Sequence, residues 1–171
     1  MENNRKVREE LWKSVEELND QQLNTVVKEG KWTIAQVLMH LYLVEMGVAK
    51  GIQHSYSENV NPSKLRAVHL VAERTEKLAA PENFVPNKTN RTLDDLKNKL
   101  GNSRKVLIDH LKGVSEEELT QKYLPHPYYR SLSLKQWVEL IGYHELRHIK
   151  QIEEIKVELL EQIPDQMKKR M

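Results

Sequence analysis

Residues 133–160 read SLKQWVELIGYHELRHIKQIEEIKVELL. Ser133 followed by Gln136 is a capping-box spelling, in which hydroxyl and amide each satisfy a backbone N–H at a helix start. Beyond it Trp137, Ile141, His144, His148, Ile152, Ile155 and Leu159 recur at spacings of three and four, the period of one buried helix face. A helix of this length with a single apolar stripe needs other helices to cover it, so the stretch predicts a bundle. Two stripe positions are histidines. Residues i and i+4 lie only about 40° apart around a helix, so both imidazoles can face one point.

Three earlier segments supply partners. Val7, Leu11, Val15 and Leu18 form a first stripe, widened by Trp12. Thr33 with Gln36 opens a second helix, expected from about residue 33 to 56. Thr92 with Asp95 opens a third, expected from about 93 to 111, with Leu96, Leu100, Leu107 and Leu111 on one side. Its acid is short for a capping box, which makes this the weakest of the set. Ser115 with Glu118 marks a short helical turn. NDQQLNTVVKEGK (19–31) reads as a connection, and residues 55–91 as a polar stretch containing Pro62, Pro81 and Pro86. Within that stretch 62–79 can form a helix and 80–90 reads as extended loop, while Pro125 and Pro127 block regular helix in YLPHPYYR (123–130). The expected fold is all-α: a four-helix bundle forming one domain over residues 1–171.

Composition agrees. Apolar residues make up 39% and charged residues 30% of the 171, as suits narrow core stripes with charged outer faces. Twenty-seven basic and 25 acidic residues interleave to a net charge of +2, with no basic stripe alternating with aromatics. No nucleic acid is expected as partner. The absence of cysteine removes disulfides, thiolate metal sites and Cys nucleophiles. MENNRKVREE (1–10) has no apolar core of a secretory signal, and no apolar run reaches membrane-spanning length. A soluble, cytoplasmic protein is expected, without a membrane partner.

The hexapeptide YHELRH (143–148) contains H-E-x-x-H, a pattern that on a helix can mark a zinc protease. Such a protease takes its third ligand downstream, yet Gln151 and Glu154 stand where one class has Gly and His. Only 23 residues follow His148, mostly helical in pattern, so a third ligand should come from upstream. His54, His69, His110 and His126 lie at helix ends or in connections. His40 differs, standing between Val37 and Val44 and beside Leu41 on the apolar face of the second helix. His40, His144 and His148 form the best trio. Two histidines hydrogen-bonded within a core remain the bland alternative, although burying both rings is costly unless each finds a partner.

Three neutral imidazoles leave coordination positions open, an arrangement suited to catalysis. Gln36 and Gln151, four and three positions from ligands, are expected as hydrogen-bond partners of the rings. Glu145, adjacent to His144, is the candidate general base. It lies about 100° around the helix from His144, so it also suits a charged residue facing solvent or a neighbouring helix; the surface reading, shared with Arg147, is favoured.

Beyond these residues the chain resembles the DinB-like family. WTIAQVLMHLYLVE (32–45) resembles its first ligand segment, with His40 in the ligand place. HPYYRSLSLKQWVELIGYHELRHIKQI (126–152) resembles its second, ending in H-x-x-x-H-x-x-Q. APENFVPNKTNRTLDDLKNKLGNSRKVL (80–107), including Arg104, resembles the segment between, and the likeness spans most of residues 5–160. Arg130 departs from it, where related sequences often carry Gly, which bears on the loop and the pocket mouth. The resemblance implies an up-down-down-up bundle with a long crossover, one divalent metal ion (Zn or Ni) on three histidines, and a homodimer. It also implies a small-molecule substrate. The activity expected is metal-dependent thiol-S-transfer, with a low-molecular-weight thiol, ahead of metal-dependent hydrolysis; a non-catalytic metal-binding, stress-associated protein is the remaining alternative.

Overall fold

The structure is a computed structural model describing residues 1–57 and 67–162. Four long helices dominate the described residues: α1 (Glu2–Val15), α3 (Ile34–Ile52), α4 (Leu93–Leu111) and α6 (Leu134–Glu161). Two short ones, α2 (Asp20–Asn24) and α5 (Glu116–Gln121), sit in the connections. The expected capping boxes close α3, α5 and α6 reciprocally. At α4 the Thr92 hydroxyl accepts from the Asp95 N–H and no reciprocal bond forms, as the short acid predicts.

Contacts along the helices give their directions. Asn4 donates to Val138, Arg8 to Glu145, and Lys156 to Ser14, so residue numbers rise together and α1 runs parallel to α6. Tyr42 meets Lys99, Glu45 meets Ser103, and Ala49 meets His110, which makes α3 and α4 parallel. His40 approaches His144 and His148, whereas Ala49 and Ile52 pack with Leu134 and Ile141, so α3 and α6 are antiparallel. The bundle is up-down-down-up. Parallel neighbours require a long crossover, which residues 53–92 provide.

Two apolar clusters fill the bundle. One gathers Leu11, Leu38, Leu41, Leu96, Leu100 and Ile152; the other gathers Val48, Ile52, Leu107, Leu134 and Ile141. Each such buried aliphatic side chain stabilises the fold by roughly 1.5–3 kcal/mol relative to exposure. His40 and His148, both buried, lie on the faces between the two clusters.

Several connections differ from expectation. The stretch after Asn19 is no plain linker, because Asn19 and Gln22 form a fourth reciprocal capping box and start α2. The second long helix stops at Ile52, short of Tyr56. Tyr56 instead pairs with Tyr123 in a small antiparallel sheet of β1 (Tyr56–Ser57), β2 (Lys122–His126) and β3 (Arg130–Ser133). Pro125 and Pro127 exclude helix there but permit extended backbone and a turn. Arg130, at the β3 end of that turn, has φ 64°, a left-handed conformation costly for any residue except glycine. This is the conformational reason that Gly suits the position.

Of the possible helix over 62–79, residues 62–66 lie outside the described residues. Val68–Glu73 is a 3₁₀ helix, with no α-helix following it. Arg147 and Lys150 of α6 donate to the Val71 and Ala72 carbonyls, oxygens that a continuing α-helix would use itself. The segment is thereby fixed across α6. Residues 80–90 are irregular, as expected, apart from a 3₁₀ turn at Glu82–Phe84.

Candidate metal centre

The histidines at positions 40, 144 and 148 converge. His144 Nε2 lies 3.3 Å from His40 Nε2 and 3.1 Å from His148 Nε2. The ligand atoms of all three fall within 4.8 Å of one another.

The outer edges of two rings show where their protons are. His40 Nδ1 is 2.8 Å from the Phe84 carbonyl, which can only accept, so Nδ1 carries hydrogen and Nε2 offers a lone pair. Phe84 reaches that place because Gly47 has no side chain: a Cβ there would meet the Phe84 ring at 2.8 Å. His148 Nδ1 is 2.9 Å from Gln151 Oε1, and that oxygen also accepts from Arg74 at 3.4 Å. Arginine only donates, which fixes the amide orientation and makes His148 Nδ1 the donor. Two Nε2 lone pairs therefore point at a third Nε2 that can hold at most one proton. Ligands about 2.0–2.1 Å from a tetrahedral ion stand roughly 3.3 Å apart, close to the observed spacings. The donor set fits a divalent cation.

The rings sit where positive charge is costly. Burial pushes the pKa of His40 below the ordinary imidazole value, and those of His144 and His148 well below it. The neighbouring rings push the same way: His148 and His40 act on His144, and His40 acts on His148. Neutral imidazole is the metal-binding form. In the unfolded chain these groups titrate near 6.5, so below that pH the unfolded state takes up protons that the folded state refuses. Stability is thus fully present above pH 6.5 and falls on acidification, by up to about 1.4 kcal/mol per pH unit for each histidine. The urea midpoint of metal-free protein should drop steeply between pH 7 and pH 5. A flat midpoint would show that the folded rings accept protons freely.

The remaining predicted residues separate. Gln151 holds His148 as expected, but Gln36 does not touch His40. Its Oε1 accepts from the Thr33 N–H and its Nε2 donates to the Asn87 carbonyl, because the capping box draws the side chain back to the helix start. The partner of His40 is a backbone oxygen from the crossover. Glu145 is neither a base at this site nor a surface charge. It is 2% exposed and turned toward α1 and α4, where Arg8 and Arg104 donate to its Oε1 at 2.5 and 2.8 Å. Burial raises its pKa while the two guanidiniums oppose that rise. Arg147, expected on the surface, is half-buried and ties the crossover to α6. His126 stays outside the cluster, as do His54, His69 and His110.

A cavity of about 1020 Å³ opens on the three rings. Trp32, Phe84, Tyr129, Trp137 and Leu140 give it apolar walls, and Arg74, Arg147 and Glu154 contribute charge. Trp137 is both core and wall, with its indole N–H donating to the Leu124 carbonyl. Among the described residues no carboxylate joins the ring cluster. Of the carboxylates that line the cavity, Glu154 and Glu158 are ion-paired with Arg74 and Lys31, and Glu76 is exposed.

Residues 4–152 match the model of the DinB superfamily. The uncharacterized protein YuaE of Bacillus subtilis (strain 168) is 28% identical over 148 residues, which cover 86% of this chain and 91% of YuaE. Among solved structures, the four-helix bundle protein TT2238 superimposes with a TM-score of 0.60 at 19% identity, covering 89% of this chain and 94% of its own. YfiT from Bacillus subtilis, described as a probable metal-dependent hydrolase with an unusual four-helix bundle topology, gives 0.60 at 20% identity, covering 92% and 84%. Both share the fold. No helix among the described residues is long and apolar enough to cross a membrane.

Proposed function

The chain belongs to the DinB superfamily, and on that footing we propose that it is a metal-dependent enzyme acting on a small molecule by transfer of a thiol group. The observation that carries the metal is the convergence of three Nε2 atoms, two of them held with their lone pairs inward by the Phe84 carbonyl and Gln151. His40, His144 and His148 would hold one divalent ion, with Zn and Ni suited to the donor set. When bound, such an ion supplies Lewis acidity that lowers the pKa of a thiol or a water.

Thiol transfer is preferred to hydrolysis because of what surrounds the rings. Hydrolysis gains from a carboxylate base beside the reacting water, yet Glu145 is engaged by two arginines on the far side of α6. A thiol ionised at the site needs no such base. The Trp32, Phe84 and Trp137 walls would exclude water and hold an apolar electrophile. The S–C bond forms as the carbon–leaving-group bond breaks, and the thiol proton departs to solvent. Hydrolysis is the second reading, favoured by the fold shared with YfiT. The reading also places the chain in the cytoplasm, where low-molecular-weight thiols are kept reduced, and carries over the homodimer that the family resemblance implies.

The test uses protein purified without a His tag or chelator, assayed with thiol–electrophile pairs and with esters. One divalent ion per chain and thiol consumption lost on chelation and restored by metal are expected, with ester cleavage slower. Activity surviving complete metal removal would overturn the metal role; ester cleavage outpacing thiol transfer would favour hydrolysis.

A further inference from the structure

His126 lines the same cavity without belonging to the ring cluster. It ends β2, and its Nδ1 accepts from two backbone N–H groups of its own turn, Tyr128 at 3.1 Å and Tyr129 at 3.2 Å. A nitrogen that accepts twice carries no hydrogen. Burial also lowers its pKa to about 4, so at neutral pH the ring holds a single proton. That proton is on Nε2, at the opposite edge of the ring from the turn. The ring plane is held against Trp137 at 4.9 Å and Tyr129 at 4.7 Å between centroids, and both residues line the cavity too. His126 is near enough to His144 for a charge on it to disfavour protonation of His144.

We infer that His126 is a ligand-binding residue, presenting a fixed Nε2–H donor to the occupant of the cavity. The occupant then carries a hydrogen-bond acceptor, an anionic or carbonyl oxygen or a thiolate sulfur, on a body apolar enough for walls such as Phe84 and Leu140. The tautomer excludes two other roles. Nδ1 is occupied and Nε2 is protonated, so His126 is neither a fourth metal ligand nor a general base in this arrangement. The inference deepens the reading proposed above and rests on it for the other end of the occupant, held at the three histidines.

The decisive variant is His126→Asn. Asparagine Oδ1 can accept from N–H groups two and three residues on, as in an Asx turn, so the turn keeps its support, while the one donor left, Nδ2, is on a side chain too short to take the place of the imidazole Nε2. Cobalt(II) is loaded into wild type and variant, and acetate is titrated by visible absorption. A hydrogen bond to an anion is worth about tenfold to a hundredfold in affinity. Acetate should therefore bind that much more weakly to the variant, with cobalt affinity unchanged. Equal acetate affinity in the two proteins would overturn the inference. Long-range ¹H–¹⁵N spectra of metal-free wild type give an independent arm. Hydrogen on Nε2 of His126 is expected near neutral pH, and hydrogen on Nδ1 would overturn the inference even if cobalt bound normally. Failure of wild type to take up cobalt would instead strike the three-histidine reading, and the tautomer would still decide on His126.

Discussion

Replacing His40 with alanine should weaken divalent-metal binding by more than about a hundredfold. Loss of a partner that merely orients a ligand typically costs 10–100-fold, and His40→Ala removes a ligand outright. The two histidines left would share one helix, at i and i+4, with nothing contributed from α3. The helices should survive, because their cohesion comes from the apolar clusters on either side of the rings. The variant also leaves the Phe84 carbonyl without its donor, a local cost of about 1 kcal/mol at a site near the cavity. Titration calorimetry with zinc or nickel, beside circular dichroism of the metal-free proteins, separates binding from folding. Gln151→Ala gives the graded control: it removes the hydrogen bond that orients His148, with the long one from Arg74, and leaves all three ligands, so its loss should stay within the 10–100-fold range. If His40→Ala binds metal as tightly as wild type, the upstream ligand has been assigned to the wrong residue.

Much of the bundle and of the ring cluster was legible in the sequence, because both depend on short-range regularities. The capping boxes at Thr33, Ser115 and Ser133 and the stripe from Trp137 to Leu159 are encoded within one helix each. Convergence of His40 on His144 and His148 follows once the two stripes are packed together. What was not legible depends on partners remote in sequence. Tyr56 gains strand character only from Tyr123, and the Val68–Glu73 turn is fixed by cations on α6. Gln36 suited two roles by spacing alone; the local one won, since the Thr33 N–H is three residues away whatever the tertiary fold. Glu145 misled for a different reason. A charged residue beside a ligand reads as either a base or a solvated group, and nothing near it reveals a buried counterion. The signal lay in Arg8, Glu45 and Arg104, each on a helix face otherwise occupied by core residues.

Those residues carry the largest stability effect expected in the chain. Glu45→Ala should destabilise the protein by about 3–5 kcal/mol, the usual consequence of removing one partner from a buried ion pair. Glu45 is 2% exposed and divides its oxygens between two cations: Oε1 accepts from Arg104, and Oε2 from Arg8 at 2.9 Å. Ser103 adds a hydroxyl donor to Oε2 at 2.6 Å. With Glu145 the group is neutral, two guanidiniums against two carboxylates, and it joins all four long helices at one level. Without Glu45 both guanidiniums would fall on Glu145 Oε1, leaving a net positive charge in the bundle interior. Total stability for such domains is about 5–15 kcal/mol, so the change removes a large share of it. At roughly 2–4 °C per kcal/mol the melting temperature should fall by about 10 °C. Glu45→Ala combined with Arg8→Met should recover part of the loss, because one charge of each sign is then gone and Arg104 remains opposite Glu145. Chemical denaturation of the two variants distinguishes charge imbalance from lost packing. Recovery in the double variant identifies the uncompensated charge as the cause, whereas a double variant less stable than Glu45→Ala would mean that Glu45 and Arg8 act mainly by filling space.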